Sequence, residues 1–171
     1  HAQINKILTY LLDYFKNVFS GKGDIVRLED EVNLVLSYAA VQKFRYDGNI
    51  HIHYEVEKAA EEVPVPSMVM LTFVENAIKY NQPGGSVQIT ISRSNGKAIL
   101  RVADTGCGIP DEYRTSIFEP FFRVDKSRSR EMGGAGLGLA LVREIAALHG
   151  GTVQDEPAEG AGTVFTVALP M

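Results

Sequence analysis

Four side chains of different chemistry share one stripe of a helix predicted over residues 67–82. Thr72, Asn76, Lys79 and Tyr80 are spaced i, i+4, i+7 and i+8, so they lie on one side of that helix. An amide oxygen is a suitable ligand for Mg²⁺, and an ammonium group can contact a phosphate. Taken alone, the stripe is more typical of a solvated helix face. The opposite side is apolar and is formed by Met70, Phe73, Val74, Ala77 and Ile78.

A carboxylate followed by closely spaced glycines marks the end of a predicted strand. The strand covers Ala98–Ala103, and the segment Asp104–Pro110 follows it with glycines at positions 106 and 108. Glycine lets the backbone approach a flat ligand closely. An ionised Asp104 can accept a hydrogen bond from the amino group of adenine, which guanine cannot donate from the same position. A glycine turn capped by an aspartate fits this motif equally well in isolation.

A second glycine-rich segment, Gly133–Leu139, runs into a helix predicted over Gly138–Leu148. The free amides and the dipole of a helix N-terminus form a site for anions. Between the two glycine segments stand aromatic residues and then cations: Phe118, Phe121, Phe122, Arg123, Lys126, Arg128 and Arg130. We interpret this stretch as a mobile lid that carries cations to a phosphate. Nucleic-acid binding is the minor alternative, because the chain has a net charge of -4.

These motifs must be positioned by a fold of modest size. The 171 residues, 45% of them apolar, suit one soluble domain, and the single cysteine excludes an internal disulfide. No apolar run reaches the length of a membrane span. Hydrophobic periodicity predicts an amphipathic helix over Leu8–Phe19 and another over Leu28–Arg45. Strands are predicted at Ile50–Val56, Val87–Ser92, Ala98–Ala103, Thr152–Glu156 and Thr163–Leu169. Interleaved helices and hairpins predict an α/β (α+β) two-layer sandwich with a mixed sheet and an N-terminal helical extension.

The histidines offer little chemistry of their own. His51 and His53 share one strand face with Glu55, which could bind zinc, but a solvated strand face is the better interpretation because no further ligand is visible. His149 suits the C-terminal end of its helix.

Four motifs in this order resemble those of a known family. Glu75–Tyr80, Asp104–Pro110, Phe118–Asp125 and Gly134–Leu139 are similar to the N box, first glycine box, F box and second glycine box of sensor histidine kinases. Gly160–Phe165 resembles the closing glycine motif of the same ATPase domain. The segments Leu8–Tyr14, Leu28–Val32 and Tyr38–Tyr46 are similar to LytS/YesM-type sensor kinases, although Lys79–Asn81 differs from the His-Gly that usually ends the N box of that group.

The resemblance implies a Bergerat ATP-binding fold with ATP and Mg²⁺ as cofactors. By motif position, Asn76 would ligate Mg²⁺, Lys79 and Arg123 would contact phosphate, and these three would form the catalytic set. Tyr80, Asp104, Gly106 and Gly108 would form the adenine pocket. The remaining expected nucleotide-binding residues are Ile109, Phe118, Gly134, Gly136, Leu137, Gly138 and Thr163.

One departure bears on the reaction. The ATP hydrolases of the superfamily resemble one another in a glutamate base four residues before the metal-binding asparagine, where this chain has Thr72. Glu75 lies about 100° around the helix from Asn76 and is no obvious substitute. Phosphoryl transfer is therefore favoured over hydrolysis. The alternatives are an anti-sigma-factor-type serine kinase and a nucleotide-gated binding module without transfer.

The same resemblance sets the expected context of the chain. Residues 1–22 would be the C-terminal part of a dimerisation and phosphoacceptor stalk, and residues 23–171 the catalytic domain. The phosphoacceptor histidine would lie outside this sequence. The expected partners are a response regulator receiver domain and a second copy joined through the stalk, without nucleic acid or direct membrane contact. The expected location is the cytoplasmic part of a membrane-anchored bacterial sensor kinase.

Overall fold

A five-stranded mixed sheet and the helices that cover one of its faces form the two layers of the structure. The computed structural model describes residues 8–12, 15, 25–46, 49–124 and 135–171. The helices are α1 (Leu28–Arg45), α2 (Val69–Lys79) and α3 (Gly138–Leu148), and residues 8–12 and Phe15 are also helical. The strands are β1 (Ile25–Arg27), β2 (His51–Val56), β3 (Pro64–Pro66), β4 (Ser86–Ser94), β5 (Lys97–Asp104), β6 (Thr152–Pro157) and β7 (Thr163–Pro170).

The large sheet has the strand order β2-β4-β5-β7-β6. β2 is parallel to β4, and the other three pairings are antiparallel. The β4–β5 hairpin turns at Asn95 and Gly96, which both have positive φ angles. Two consecutive positive φ angles match the right-handed twist of the flanking strands, which explains why Asn-Gly predicts this hairpin correctly. β1 and β3 form a separate two-stranded ladder.

Alternate residues of the central strands face the helices and form the core. Val87, Ile89 and Ile91 of β4 are fully buried, as are their counterparts on β5 and β7. The predicted apolar side of α2 packs on them, and the ring of Phe73 lies 5.0 Å from that of Phe165. Burial of one such aromatic side chain contributes about 2–3 kcal/mol. The predicted two-layer sandwich with a mixed sheet is confirmed.

The boundaries of α2 differ from the predicted range of 67–82. Its first residue is Val69, because Met68 takes a left-handed conformation with φ 64°. It ends at Lys79, because Tyr80 leaves the helical region and Asn81 bonds to the backbone of β4 instead. The β1–β3 ladder was not predicted at all, since three-residue strands that contain prolines lack a periodic signal.

Two expectations concern segments that the structure covers only in part. Of the helix predicted over Leu8–Phe19, residues 8–12 and Phe15 are described and helical. The predicted lid falls mostly on residues 125–134, which lie outside the described residues. Within the described ranges, no helix is both long enough and apolar enough to cross a membrane.

The turn between β6 and β7 provides a test of the close packing at the end of β5. A Cβ at Gly162 would lie 2.0 Å from the carbonyl oxygen of Asp104, whereas a Cβ at Gly160 would meet no atom within 4 Å. Both glycines have positive φ angles, so alanine carries the same kind of backbone strain at either position.

We therefore expect Gly160→Ala to lower the free energy of unfolding by about 1 kcal/mol and Gly162→Ala by about 3 kcal/mol or more. Chemical denaturation of the two variants measures the difference. Equal losses would show that the turn is not packed against Asp104.

Candidate nucleotide-binding site

The N-terminus of α3 lies against the middle of α2, which creates the first half of the site. A Cβ at Gly138 would lie 2.9 Å from the Cγ2 atom of Thr72, so the start of α3 and the middle of α2 are in close contact here. Thr72 is one turn before Asn76 on the same side of α2. The first amides of α3 therefore lie beside the polar stripe that the sequence predicts.

The Asn76 side chain is held in one orientation by its own helix. Its Nδ2 donates a hydrogen bond to the carbonyl oxygen of Thr72 at 2.9 Å. This bond uses the nitrogen of the amide, and none of the described residues donates to the oxygen. An amide oxygen presented in this way is a suitable ligand for Mg²⁺, which takes oxygen ligands and keeps several waters beside nucleotide phosphates.

Asp104 forms the second half of the site at the end of β5. Its side chain is buried, and its Oδ1 accepts hydrogen bonds from the amides of Gly106 at 2.8 Å and Thr163 at 3.3 Å. None of the described residues donates to Oδ2. Burial raises the pKa of Asp104, and the two amide hydrogen bonds act in the opposite direction. The result is a carboxylate with one oxygen fixed and the other oxygen available to a donor.

The loop after Asp104 lies directly on the end of α2. A Cβ at Gly106 would lie 2.4 Å from the carbonyl oxygen of Tyr80, and the amide of Cys107 donates to that oxygen at 3.2 Å. Gly108 has a positive φ angle and lies against Gly162. The structure thus brings the residues of the expected adenine pocket together.

Positive charge gathers beside the polar stripe of α2. The pKa of Lys79 is lowered by partial burial and by the nearby charge of Arg123, while Glu75 acts in the opposite direction. Arg123 and Lys79 are therefore close, although more than forty residues separate them in the sequence. The Lys79 Nζ also lies 5.3 Å from the centre of the Tyr80 ring. Two neighbouring cations at an exposed helix face provide favourable electrostatics for a phosphate group.

The residues around Phe121 contact those around Gly136, just before the N-terminus of α3. Phe121 donates its amide to the carbonyl oxygen of Gly136 at 2.9 Å, and Gly136 has a positive φ angle. Leu137 stands at the N-cap position of α3 without a side-chain capping hydrogen bond, and it is 42% exposed.

The other expected residues contribute through core packing or backbone groups, or lie outside the described ranges. Phe118 is buried in the core, where its ring and that of Phe165 pack edge-on and the guanidinium of Arg143 lies 5.4 Å from its centre. Ile109 packs partly on the core, and Thr163 contributes its backbone amide to Asp104. Gly134 lies outside the described residues.

His51 and His53 lie on edge strand β2, and no cluster of three or more histidine, cysteine or acidic residues suited to a metal occurs in the described ranges.

One positioning network was missed by sequence reasoning. The hydroxyl of Thr105 accepts from the amide of Ser86 at 2.8 Å and donates to the Asn81 Oδ1 at 3.3 Å. The Nδ2 of Asn81 donates to the carbonyl oxygen of Ser86 at 3.0 Å. These bonds join the end of α2 to β4 and to the loop after Asp104. The residue types alone gave no signal, because a short polar side chain beside Pro-Gly-Gly is typical of any turn.

Comparison with known proteins agrees with this geometry. Residues 62–171 match the family model described as histidine kinase-, DNA gyrase B-, and HSP90-like ATPase. The sensor histidine kinase RppB of Synechocystis is 45% identical over 98 residues, which is 57% of this chain and 22% of RppB. The histidine-protein kinase ArlS of Staphylococcus aureus is 39% identical over 171 residues, covering 96% of this chain and 37% of ArlS.

Solved structures of sensor histidine kinases are similar to this chain as well. The mycobacterial sensor histidine kinase MprB aligns with a TM-score of 0.68 at 28% identity, covering 85% of this chain and 95% of that chain. Full-length ShkA in complex with AMPPNP aligns with a TM-score of 0.71 at 25% identity, covering 96% of this chain and 35% of ShkA.

The fold and the site define a nucleotide-binding ATPase domain. The chain belongs to the histidine kinase-, DNA gyrase B- and HSP90-like ATPase family, and its ATPase domain is homologous to those of two-component sensor histidine kinases. It spans between 14% and 37% of the length of the curated relatives that it matches.

The raised pKa of Asp104 predicts a pH dependence of nucleotide affinity. Protonation removes the acceptor on Oδ2, so affinity for adenine nucleotides should fall as the pH drops through a value above the 3.8 of an ordinary aspartate. Asp104→Asn should bind weakly at every pH. Calorimetric titrations in buffers of decreasing pH, with circular dichroism to confirm folding, measure this effect.

Asp104→Asn should affect nucleotide binding without lowering the stability of the fold. An acid whose pKa is raised in the folded state stabilises the fold when it is protonated, and that stability is lost as the pH rises through the folded-state pKa. Asparagine keeps the oxygen that accepts from Gly106 and Thr163 but carries no charge. The Tm of Asp104→Asn at neutral pH should therefore be no lower than that of the unaltered chain. A large decrease in Tm would contradict this account of Asp104.

Proposed function

We propose that this chain binds Mg²⁺-ATP and is the catalytic domain of a two-component sensor histidine kinase. In this function it transfers the γ-phosphate to a histidine on a dimeric helical stalk, from which a response regulator receiver domain receives it. The observation that carries the proposal is the Asp104 carboxylate, with Oδ1 fixed by two amides and Oδ2 left for the amino group of adenine. The similarity to named sensor histidine kinases supports the transfer step.

Each group along α2 has a defined task in this function. Asn76 would hold Mg²⁺ through its side-chain oxygen, since Nδ2 is engaged by Thr72. One protein oxygen suits this ion, which would neutralise charge on the triphosphate. Lys79 and Arg123 supply two positive charges beside it. Phosphoryl transfer depends mainly on such positioning and charge stabilisation.

The surroundings of Asn76 favour transfer over hydrolysis. The residue one turn before it is Thr72, whose methyl group packs towards Gly138 and which has no carboxylate to activate water. The carboxylate of Glu75 lies close enough to Lys79 to influence its pKa. Burial raises the pKa of Glu75, and Lys79 acts in the opposite direction. We therefore assign Glu75 to the electrostatics of Lys79 and not to the activation of a water molecule.

We place the start of the catalytic domain near residue 23, with residues 1–22 as part of the stalk. The placement is supported by β1, which begins at Ile25 and pairs with β3 immediately before α2. We also propose that the domain acts on the cytoplasmic side of a membrane-anchored kinase, as part of a homodimer.

The metal role of Asn76 can be tested by binding measurements. Asn76→Ala should lower ATP affinity about tenfold with Mg²⁺ and much less with EDTA, because only the metal-dependent contact is removed. Gln82→Ala, an exposed amide near the same end of α2, is the matched control and should bind like the unaltered chain. GTP should bind more weakly than ATP. Equal affinity for the two nucleotides, or no binding of either, would contradict the proposal.

The transfer step needs an acceptor. With γ-labelled ATP and a purified phosphoacceptor stalk from a related sensor kinase, we expect acid-labile, alkali-stable label on the stalk histidine. The chain alone should acquire no such label on His51, His53 or His149. Nucleotide binding without any transfer would instead identify a nucleotide-gated binding module.

A further inference from the structure

A buried carboxylate from one helix holds the beginning of another. Glu31 lies in the first turn of α1 and is 2% exposed. Its Oε1 accepts a hydrogen bond from the amide of Met68 at 2.6 Å, and its Oε2 accepts one from the amide of Met70 at 3.3 Å. Both amides stand at the start of α2, where N–H groups have no partner within the helix. Glu31 therefore caps α2 from outside.

The sequence around the start of α2 provides no other cap. Met68 occupies the N-cap position in a left-handed conformation with φ 64°, and its side chain makes no capping hydrogen bond. A methionine in this conformation is strained, and the conformation persists only where its surroundings hold it. The two bonds from Glu31 supply such a restraint.

Backbone hydrogen bonds hold the first turn of α1, which carries Glu31, next to the start of α2. The amide of Leu28, at the start of α1, donates to the carbonyl oxygen of Val63 at 2.9 Å. Directly before α1, the strand β1 pairs with β3, which leads into α2. The first turn of α1 and the segment that precedes α2 are therefore joined at three successive places.

A carboxyl group removed from water costs free energy at a buried position. Burial raises the pKa of Glu31, the amides of Met68 and Met70 act in the opposite direction, and the neighbouring Asp30 raises it further. An apolar side chain of similar size would pack here without the cost of removing a carboxylate from water. The two oxygens are matched to two amides and to the positive end of a helix dipole, which indicates a role in placing α2.

We propose that Glu31 is a positioning residue for the metal-binding part of the nucleotide site. By holding the amides of Met68 and Met70, it sets where α2 begins and thereby where Asn76 stands, about 12 Å further along the helix axis. Asp104 belongs to β5 and is anchored separately through Gly106 and Thr163, so its position is independent of Glu31. This inference rests on the proposed function for its ligand, Mg²⁺-ATP.

Glu31→Gln tests this role, because glutamine has one accepting oxygen and presents an NH₂ group to the second amide. ATP affinity with Mg²⁺ should fall about fivefold, while adenosine affinity, which depends on Asp104, should stay within about twofold. Glu31→Met, which leaves both amides without a partner but packs as an apolar side chain, should show the same split. Glu29→Gln makes the same charge change at an exposed position of the same helix turn and should leave both affinities unchanged.

A nucleotide-free readout separates this inference from the proposed function. The side-chain amide resonance of Asn76 should shift in Glu31→Gln and Glu31→Met but not in Glu29→Gln. An unchanged Asn76 resonance together with unchanged affinities, or an equal loss of affinity for both ligands, would overturn the positioning role. Failure of the unaltered chain to bind Mg²⁺-ATP would overturn the proposed function, and the Asn76 resonance would still decide the role of Glu31.

Discussion

The contacts of Asp104 hold the parts of the site together. Its side-chain carboxylate accepts backbone hydrogen bonds, and its carbonyl oxygen lies against Gly162. A buried carboxylate is costly unless its oxygens are hydrogen-bonded, and here two backbone amides from different parts of the chain bond to the same oxygen. Those amides reach it only because Gly106 and Gly162 let the backbone approach within distances that exclude a Cβ. The end of β5, the start of β7 and the end of α2 are thereby joined, and the second oxygen of Asp104 is left with a defined direction.

α2 connects this anchor to the rest of the site because its two sides have different tasks. One side is buried against the sheet through residues such as Phe73 and Val74, which fixes the helix in place. The other side carries Thr72, Asn76 and Lys79 towards α3 and Arg123. The beginning of the helix is held by Glu31 and its end by the Asn81–Thr105 hydrogen bonds, so both termini are restrained from outside.

The electrostatics of the site are unbalanced in a direction that suits its proposed ligand. Partial burial and the nearby charge of Arg123 lower the pKa of Lys79, and the partly buried Glu75 acts in the opposite direction. An anion placed beside two cations gains favourable Coulomb energy from both. In the proposed function the triphosphate would lie beside Lys79 and Arg123, and the Asn76 oxygen would hold Mg²⁺.

The sequence by itself determined the main helices and strands and the types of side chain that the candidate site contains. Period-2 and period-3.6 patterns predict the main strands and helices, and Asn-Gly predicts the β4–β5 hairpin. The polar stripe of α2 predicts Asn76 and Lys79 as site residues. Local patterns suffice there because periodicity reflects which side of an element is buried. The same patterns predict Asp104 and its glycines as site residues, since a close backbone approach requires glycine.

Only the tertiary structure decided which groups meet. It placed Phe118 in the core, brought Arg123 to Lys79, tied Asn81 to Thr105 and gave Glu31 its place at the start of α2. Each of these contacts joins residues that are distant in sequence or uses a backbone group that every residue carries. Nothing in residue type or spacing distinguishes such partners, because their choice depends on how the helices pack across the sheet.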